Sequence, residues 1–312
     1  MIGLPQVYTL AGLTFAAFAL LSACDASNPR RWGNGAFWGL LACSMLAGDR
    51  LGDFANGVLV LALVGIAGLG GLGKGAARSE ANERAAEAAR RGNRLFLLAL
   101  VIPLVALAGT FGFKAAPQLV DPRNVTLVSL ALGVLVALGL GMVWFRTGPA
   151  EPLHEGRRLM DAVGWAAILP QMLASLGAVF ALAGVGKVVG ALMTTVIPDG
   201  SRLAAVIAYG LGMALFTMVM GNAFAAFPVM AAAIGLPLLI GQYHGDPAVV
   251  AAIGMLAGFC GTLMTPMAAN FNIVPAALLE LKDRNAVVKA QIPTALPLLA
   301  VNIALIWFLA FR

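Results

Sequence analysis

Residues 258–275, GFCGTLMTPMAANFNIVP, form a polar stretch with two prolines inside an otherwise apolar part of the chain. Pro266 and Pro275 lack the N–H that a helix interior needs, and each ring clashes with the preceding turn. The glycines, threonines and asparagines of the stretch supply loose backbone and uncharged ligand atoms. The stretch therefore predicts a broken helix or a re-entrant hairpin. Non-helical backbone survives at membrane depth only where protein or a water-filled cavity satisfies it, so such a break points to a binding site.

The composition around this stretch is typical of a membrane protein. Of the 312 residues, 61% are hydrophobic and 11% are charged, and the mean hydropathy is +0.91. In soluble domains roughly a quarter of the residues are charged. Each membrane crossing takes about 20 apolar residues plus a connection, so the length accommodates roughly eight to ten membrane segments, some of them half-length. We expect an all-α, polytopic protein in contact with the lipid bilayer.

The distribution of charge predicts the topology in the membrane. The net charge of +6 lies mainly in loops and shows no basic patch with interleaved aromatic residues, so we expect no nucleic-acid partner. The loop 73–94 is the most basic segment, and the positive-inside rule places it in the cytoplasm and the N-terminus outside. Ser79 is the predicted cap of a short surface helix that ends near Gly92. The expected location is the bacterial inner membrane.

The chain divides into two predicted membrane units, residues 1–158 and 159–312. In the first unit, the apolar run 36–47 is too short to cross a core of about 30 Å and is followed by GDRLGDFANG at 48–57. In the second unit, GNAFAAFP at 221–228 is a comparable interruption. Interrupted helices in corresponding positions of two halves predict an inverted-repeat secondary transporter.

Broken helices also predict the chemistry of a site. The second half of a broken helix begins with free N–H groups that attract a carboxylate, and the first half ends in free carbonyls that bind a cation such as sodium. The predicted substrate ligands lie in the second unit: Asn222, Phe224, Thr262, Thr265, Asn270 and Asn272. The alternative is that these side chains only cap helices that serve packing.

A second set of polar residues predicts the site of a coupling ion. Asp49, Asp53 and Asn56 lie in the interruption of the first unit, where a carboxylate inside the bilayer is suspect as a proton carrier or a partner for a cation. An interfacial position for Asp49 and Asp53 is equally compatible with the short flanking run. Asp161 is another ionisable group close to a predicted membrane segment.

Other patterns argue against an enzyme. His154 and His244 lie in predicted loops without a neighbouring nucleophile or a carboxylate pair, so we expect no catalytic centre, no metal centre and no cofactor apart from a coupling sodium ion. The segment 68–75, GLGGLGKG, matches G-x-G-x-x-G, but it ends a membrane span and has Gly75 where a P-loop needs Ser or Thr. Close packing through small residues, with Lys74 at the interface, is the favoured interpretation.

Three strings carry a family resemblance: LPQMLASLGAVFALAGVG at 169–186, GNAFAAFPVMAAAIGLPLLI at 221–240 and CGTLMTPMAANFNIVPAALLEL at 260–281. With them, nearly the whole chain resembles a bacterial membrane-protein family, formerly of unknown function, whose members are identified as one subunit of a two-component 5-oxoproline (pyroglutamate) transporter. The resemblance implies a second, smaller membrane subunit and kinship with ion-coupled carboxylate transporters. It carries over no catalytic residue.

The expected function is a secondary transporter subunit that moves a small carboxylate, 5-oxoproline in the first place, with sodium or protons. The carboxylate of 5-oxoproline suits helix N-terminal N–H groups, and its lactam suits an amide such as Asn270 or Asn222. One alternative is an accessory or scaffold subunit whose partner carries the path. Another is an integral membrane enzyme acting on a lipid. An oligomer is compatible with all three functions.

Overall fold

The computed structural model describes residues 1–75, 81–198, 200–279 and 281–312, and within these ranges it contains helices and no β-strand. The helices are α1 (Leu4–Ala23), α2 (Arg31–Gly68), α3 (Ala81–Arg91), α4 (Leu95–Ala115), α5 (Val125–Phe145), α6 (Glu151–Val163), α7 (Leu169–Leu182), α8 (Val185–Val196), α9 (Arg202–Met220), α10 (Ala223–Met230), α11 (Pro247–Leu263), α12 (Ala269–Leu278) and α13 (Ala286–Leu309). Short 3₁₀ turns occupy Gly92–Arg94 and Gly164–Ile168, and a π-helix, Ala231–Gln242, continues α10.

The predicted polytopic membrane protein is confirmed. Among the described residues, seven helical segments are long and apolar enough to cross a membrane, and a pair of helices bent by 67°, Ser175–Leu182 and Val185–Met193, raises the number to eight. Large apolar side chains are exposed along these helices, for example Leu97, Leu104 and Phe111 on α4. Such a surface suits lipid and would be unfavourable in water.

The first compact unit comprises Met1–Gly164. Small residues allow its helices to approach closely, as is typical of membrane helices. Gly12 of α1 lies against Leu46 of α2, and Gly133 of α5 lies against the backbone of Ile102 in α4. The pairs α1–α2 and α4–α5 are therefore closely packed hairpins.

A break at Gly52 interrupts α2, within the predicted interruption 48–57. Gly52 has φ 71° and ψ 170°, a conformation that suits glycine. The Asn56 side chain donates a hydrogen bond of 2.8 Å to the carbonyl of Gly48 next to the break. The predicted interruption is thus a break at a single residue, and the apolar run 36–47 is part of the longer helical stretch 31–51 that precedes it.

The loop predicted to be cytoplasmic contains a short helix, as expected. Helix α3 ends at Arg91, immediately before Gly92, and Arg91 forms an ion pair of 2.9 Å with Glu87 one turn earlier. The predicted cap Ser79 lies outside the described residues.

The second compact unit comprises Trp165–Arg312. Helix α9 and the segment formed by α10 and the π-helix make an antiparallel hairpin, because Gly212 lies against Met230 and Gly235 lies against Tyr209. Helix α11 runs parallel to α9, with Gly254 against the same Tyr209 ring. Tyr209 is fully buried and donates a hydrogen bond of 3.3 Å to the Val250 carbonyl, which makes it the centre of this core.

The broad interruption predicted at 221–228 is wrong in extent. Gly221, at φ 75°, ends α9, and the Asn222 side chain caps α10, so two residues suffice to reverse the chain. Pro228 lies inside α10. Residues 229–240 therefore belong to the helical segment Ala223–Gln242, which is 20 residues long and can span a membrane.

Candidate functional site

The break that the opening stretch predicts is present, but it is narrower than 258–275. Helix α11 continues to Leu263 and α12 begins at Ala269, so only residues 264–268 are non-helical. Pro266 explains the position of the break, because it has no N–H to donate to the Thr262 carbonyl one turn earlier. Pro275 is accommodated inside α12.

Asn272 closes this break from α12. Its side-chain nitrogen donates to the carbonyls of Thr262 at 2.8 Å and Thr265 at 2.6 Å. Because both partners are acceptors, the orientation of the amide is fixed, with the nitrogen towards the break. The Asn272 oxygen Oδ1 is buried and has no hydrogen-bond partner. The side chain thus satisfies two backbone carbonyls and retains one unused acceptor.

The break after α11 contacts the turn after α9. The Thr265 hydroxyl donates to the Met218 carbonyl at 2.8 Å, which lies in the last turn of α9. Gly221 lies against the backbone of Met267, where a Cβ atom would stand 2.5 Å from the carbonyl oxygen. Glycine is therefore required at 221 both by its positive φ and by this approach. We call this region, residues 217–222 with 262–272, the break junction.

Small residues bring α9 and α11 together at the break junction. A Cβ atom at Gly261 would collide with the Ala214 carbonyl, and one at Gly258 would stand 3.3 Å from the Thr217 hydroxyl oxygen. The Thr217 hydroxyl is fully buried and has no hydrogen-bond partner. Both helices thus end side by side, and their free carbonyls give the junction a partial negative charge.

The predicted substrate ligands fall into two groups. The hydrogen-bonding atoms of three of them serve the backbone: Asn222 Oδ1 accepts from the Phe224 N–H at 2.7 Å, and the Thr262 hydroxyl donates to the Phe259 carbonyl at 2.6 Å, as Thr265 does to Met218. These contacts agree with the alternative that such residues cap helix ends.

The second group keeps unused ligand atoms. Asn270 Oδ1 is buried without a hydrogen-bond partner, two residues from Asn272 on α12. Phe224 is 62% exposed at the start of α10 and packs edge-on against Phe259, with ring centroids 5.6 Å apart. The segments 203–242 and 247–279 that carry the junction contain no charged residue. Unused oxygens in neutral surroundings suit a cation or the N–H group of a ligand.

The predicted coupling-ion residues lie in the first unit. Asp49 and Asp53 stand on either side of the break at Gly52, and both are exposed. The Asn56 nitrogen is bonded to the Gly48 carbonyl, so this amide supports the break. A coupling ion at these three residues stays a prediction.

Sequence analysis missed a buried charge cluster in the first unit. Arg157 of α6 bonds Asp25, which follows α1, at 2.7 Å, and Trp38 of α2 donates to Asp161 at 2.8 Å. Among the described residues, no three His, Cys, Asp or Glu side chains are grouped as metal ligands would be. The local signals of the cluster were the position of Asp161 close to a predicted membrane segment and its spacing from Arg157, one helical turn away.

Comparison with known proteins gives one family match. A family model described as a protein of unknown function (DUF979) matches residues 5–311. No curated protein and no solved structure shows a significant match to the chain. The family description names no substrate, so 5-oxoproline stays a prediction. Since the match spans almost the entire sequence, including the break junction and the charge cluster, the chain belongs to the DUF979 family.

Proposed function

We propose that the protein is the membrane subunit of a secondary transporter for a small carboxylate, with 5-oxoproline as the first candidate, and that the substrate binds at the break junction. The observation that carries the proposal is the contact between the α9–α10 turn and the α11–α12 break, where the amide oxygens of Asn270 and Asn272 are buried without donors. Broken helices in membrane proteins occur where protein or a water-filled cavity satisfies their backbone, and in secondary transporters such breaks form substrate and ion sites.

The unused oxygens define what a ligand has to supply. Leaving a buried acceptor unpaired costs about 1–3 kcal/mol, so a donor or a cation that reaches Asn270 or Asn272 recovers free energy. The lactam N–H of 5-oxoproline is such a donor. Its carboxylate would face the start of α10 at Ala223, beside the junction, at N–H groups other than that of Phe224, which donates to the Asn222 side chain.

A coupling ion fits the same chemistry. The carbonyl ends of α9 and α11, together with neutral amide and hydroxyl oxygens, are the hard ligands that sodium prefers. Coupling to sodium at the junction is therefore our first expectation, and coupling to protons is the second. The proposed setting is the bacterial inner membrane with the N-terminus outside, together with a second, smaller membrane subunit.

Uptake of labelled 5-oxoproline into proteoliposomes tests this function. The chain is reconstituted alone and with the second subunit, and sodium and proton gradients are imposed separately. We expect uptake driven by an inward sodium gradient. Uptake by the chain alone would exclude a purely accessory role, whereas uptake only with the partner would mean a shared path or an accessory role for this chain. No uptake in any arm, together with conversion of a lipid by the protein in detergent, would contradict transport and favour an enzyme.

A further inference from the structure

The buried charge cluster of the first unit is outside the proposed substrate site. It consists of Asp25 in the α1–α2 loop, Trp38 in α2, and Arg157 and Asp161 in α6. One terminal nitrogen of Arg157 lies 2.7 Å from Asp25 and 3.4 Å from Asp161. The side chains of Asp25, Arg157 and Asp161 are 15%, 8% and 3% exposed. Arg157 and Asp161 are thus buried, and Asp25 lies at the edge of the cluster, towards the exposed Ser27.

The cluster carries two carboxylates but a single guanidinium. With both acids ionised, one negative charge remains uncompensated in a buried place, which is costly. The hydrogen bonds are shared unequally. Asp25 accepts from the Ser27 N–H at 3.0 Å, from the Ser27 hydroxyl at 2.6 Å and from Arg157, whereas Asp161 accepts from Trp38 and stands at the longer distance from Arg157. The environment therefore favours the ionised form of Asp25 over that of Asp161.

The pKa directions agree with this difference. Burial raises the pKa of Asp161, and the hydrogen bonds from Trp38 and Asn34 and the charge of Arg157 offset this effect only in part. Burial alone would also raise the pKa of Asp25, but the bonds from Ser27 and Arg157 outweigh it and hold that pKa below its usual value. The pKa values of the two carboxyl groups in this cluster are thus shifted in opposite directions.

We propose that the cluster is a proton-binding site, in which Asp161 takes up one proton from solvent while Asp25 remains ionised against Arg157. The proton adds to the Asp161 oxygen that faces Arg157, and no other covalent bond forms or breaks. The charge of the cluster changes from minus one to zero. The other Asp161 oxygen continues to accept from the Trp38 indole N–H, so the ring is in direct contact with the group that titrates.

The segments that form the cluster also carry other ionisable groups: Arg30 and Arg31 at the start of α2, Lys74 in the glycine-rich segment, and His154, Glu155 and Arg158 on α6. The charges that act on Asp161 are those of Arg157 and Asp25. A change of charge elsewhere on α6 is therefore expected to leave proton binding at Asp161 unaltered.

The glycine-rich segment 69–75 closes over one side of the cluster. The Asn34 side chain exchanges two hydrogen bonds of 2.8 Å with the backbone of Gly73, and it also faces Asp161. Gly75 lies so close to the Asp25 carboxylate that a Cβ atom would collide with it. The glycines thus allow the backbone to pack closely against the cluster. This agrees with the interpretation of the segment as a site of close packing through small residues.

Tryptophan fluorescence of the purified protein tests proton binding without transport. The emission is recorded from about pH 4 to about pH 8 in detergent, and the contribution of Trp38 is isolated by comparison with Trp38→Phe, since the chain has 5 tryptophans. We expect a Trp38-dependent transition with a midpoint above the usual Asp value of about 3.9. Asp161→Asn should abolish it. Asp25→Asn should move the midpoint downwards, because Arg157 is then free to pair with Asp161.

The matched control is Glu155→Gln, which removes an acid from the same helix that is paired with Arg158 rather than with the cluster. This variant should keep the wild-type midpoint. The proposal is overturned if the emission of the wild type shows no Trp38-dependent transition. It is also overturned if the transition persists in folded Asp161→Asn. If Asp161→Asn fails to fold, an unchanged midpoint in Asp25→Asn would overturn it equally. The proposal does not rest on the transported substrate, and a failed uptake assay leaves this measurement unaffected.

Discussion

Thr265 and Met218 are 47 positions apart in the sequence, yet the hydroxyl of the first donates a hydrogen bond of 2.8 Å to the carbonyl of the second. Helix α9 ends at Met220, and its last carbonyls have no helical donor. The hydroxyl from the α11–α12 break supplies one. The α11–α12 break thus satisfies a carbonyl at the end of α9, which helps to explain why the two interruptions lie in contact.

Thr265→Val keeps the shape of the side chain and removes this hydrogen bond, together with the one of 3.2 Å that the Thr265 oxygen accepts from the Met267 N–H. Because the Met218 carbonyl is then left without the hydroxyl, we expect a loss of about 1–3 kcal/mol, seen as a lower Tm in a detergent unfolding assay. The control is Thr110→Val in α4, where the hydroxyl bonds the Ala106 carbonyl of its own helix. Equal Tm values for the two variants would contradict the role given to Thr265.

Asn272→Asp replaces the only donor group of that side chain by an acceptor. The new carboxylate would face the carbonyls of Thr262 and Thr265, and two unpaired carbonyls cost about 2–6 kcal/mol in total. We expect poor expression and early thermal unfolding. A variant as stable as the wild type would show that the Asn272 amide does not close the break.

Gly261→Ala adds a methyl group where α11 meets the Ala214 carbonyl of α9. The helices would have to separate, so we expect a lower Tm and weaker transport. Gly65→Ala in α2 is the matched control, because nothing lies within 4 Å of a Cβ atom there and alanine is the better helix former by about 0.5–1 kcal/mol. The prediction fails if Gly261→Ala and Gly65→Ala change the Tm and the transport equally.

The pKa of Asp25 predicts a dependence on pH. Because its folded pKa is depressed, its ionised form contributes stability above the unfolded value of about 3.9, and this contribution is lost as the pH falls through the folded pKa. Asp25→Asn should therefore lower the Tm at neutral pH and have a smaller effect in acid. Asp283→Asn is the comparison, since its Lys289 partner is 70% exposed. A Tm difference between the wild type and Asp25→Asn that grows in acid would contradict the assignment.

Much of the fold could be predicted because bilayer thickness controls the length of apolar runs. Helices α5, Val125–Phe145, and α9, Arg202–Met220, each coincide with one apolar run of about 20 residues. The breaks were located through glycine and proline, which act on the local backbone. Their extent was overestimated, since Asn270 and Asn272 lie in the first turns of α12 and the polar letters alone did not show it.

Contacts between distant residues could not be predicted in this way. Nothing local relates Thr265 to Met218, or Trp38 to Asp161, which are 123 positions apart. The candidate ligands were selected by residue type, and the structure divides them by whether their atoms are already used by the backbone. That division leaves Asn270 as the predicted ligand whose change is expected to affect transport without affecting the fold.

The most direct test of the proposed site is uptake of labelled 5-oxoproline by Asn270→Ala in proteoliposomes, with any second subunit that the wild type requires. The matched control is Asn285→Ala, an exposed asparagine before α13 whose side chain makes no capping hydrogen bond. We expect Asn270→Ala to lose uptake at least tenfold, which corresponds to about 1.4 kcal/mol, with an unchanged Tm, and Asn285→Ala to transport normally. Wild-type uptake by folded Asn270→Ala would contradict a substrate site at the break junction.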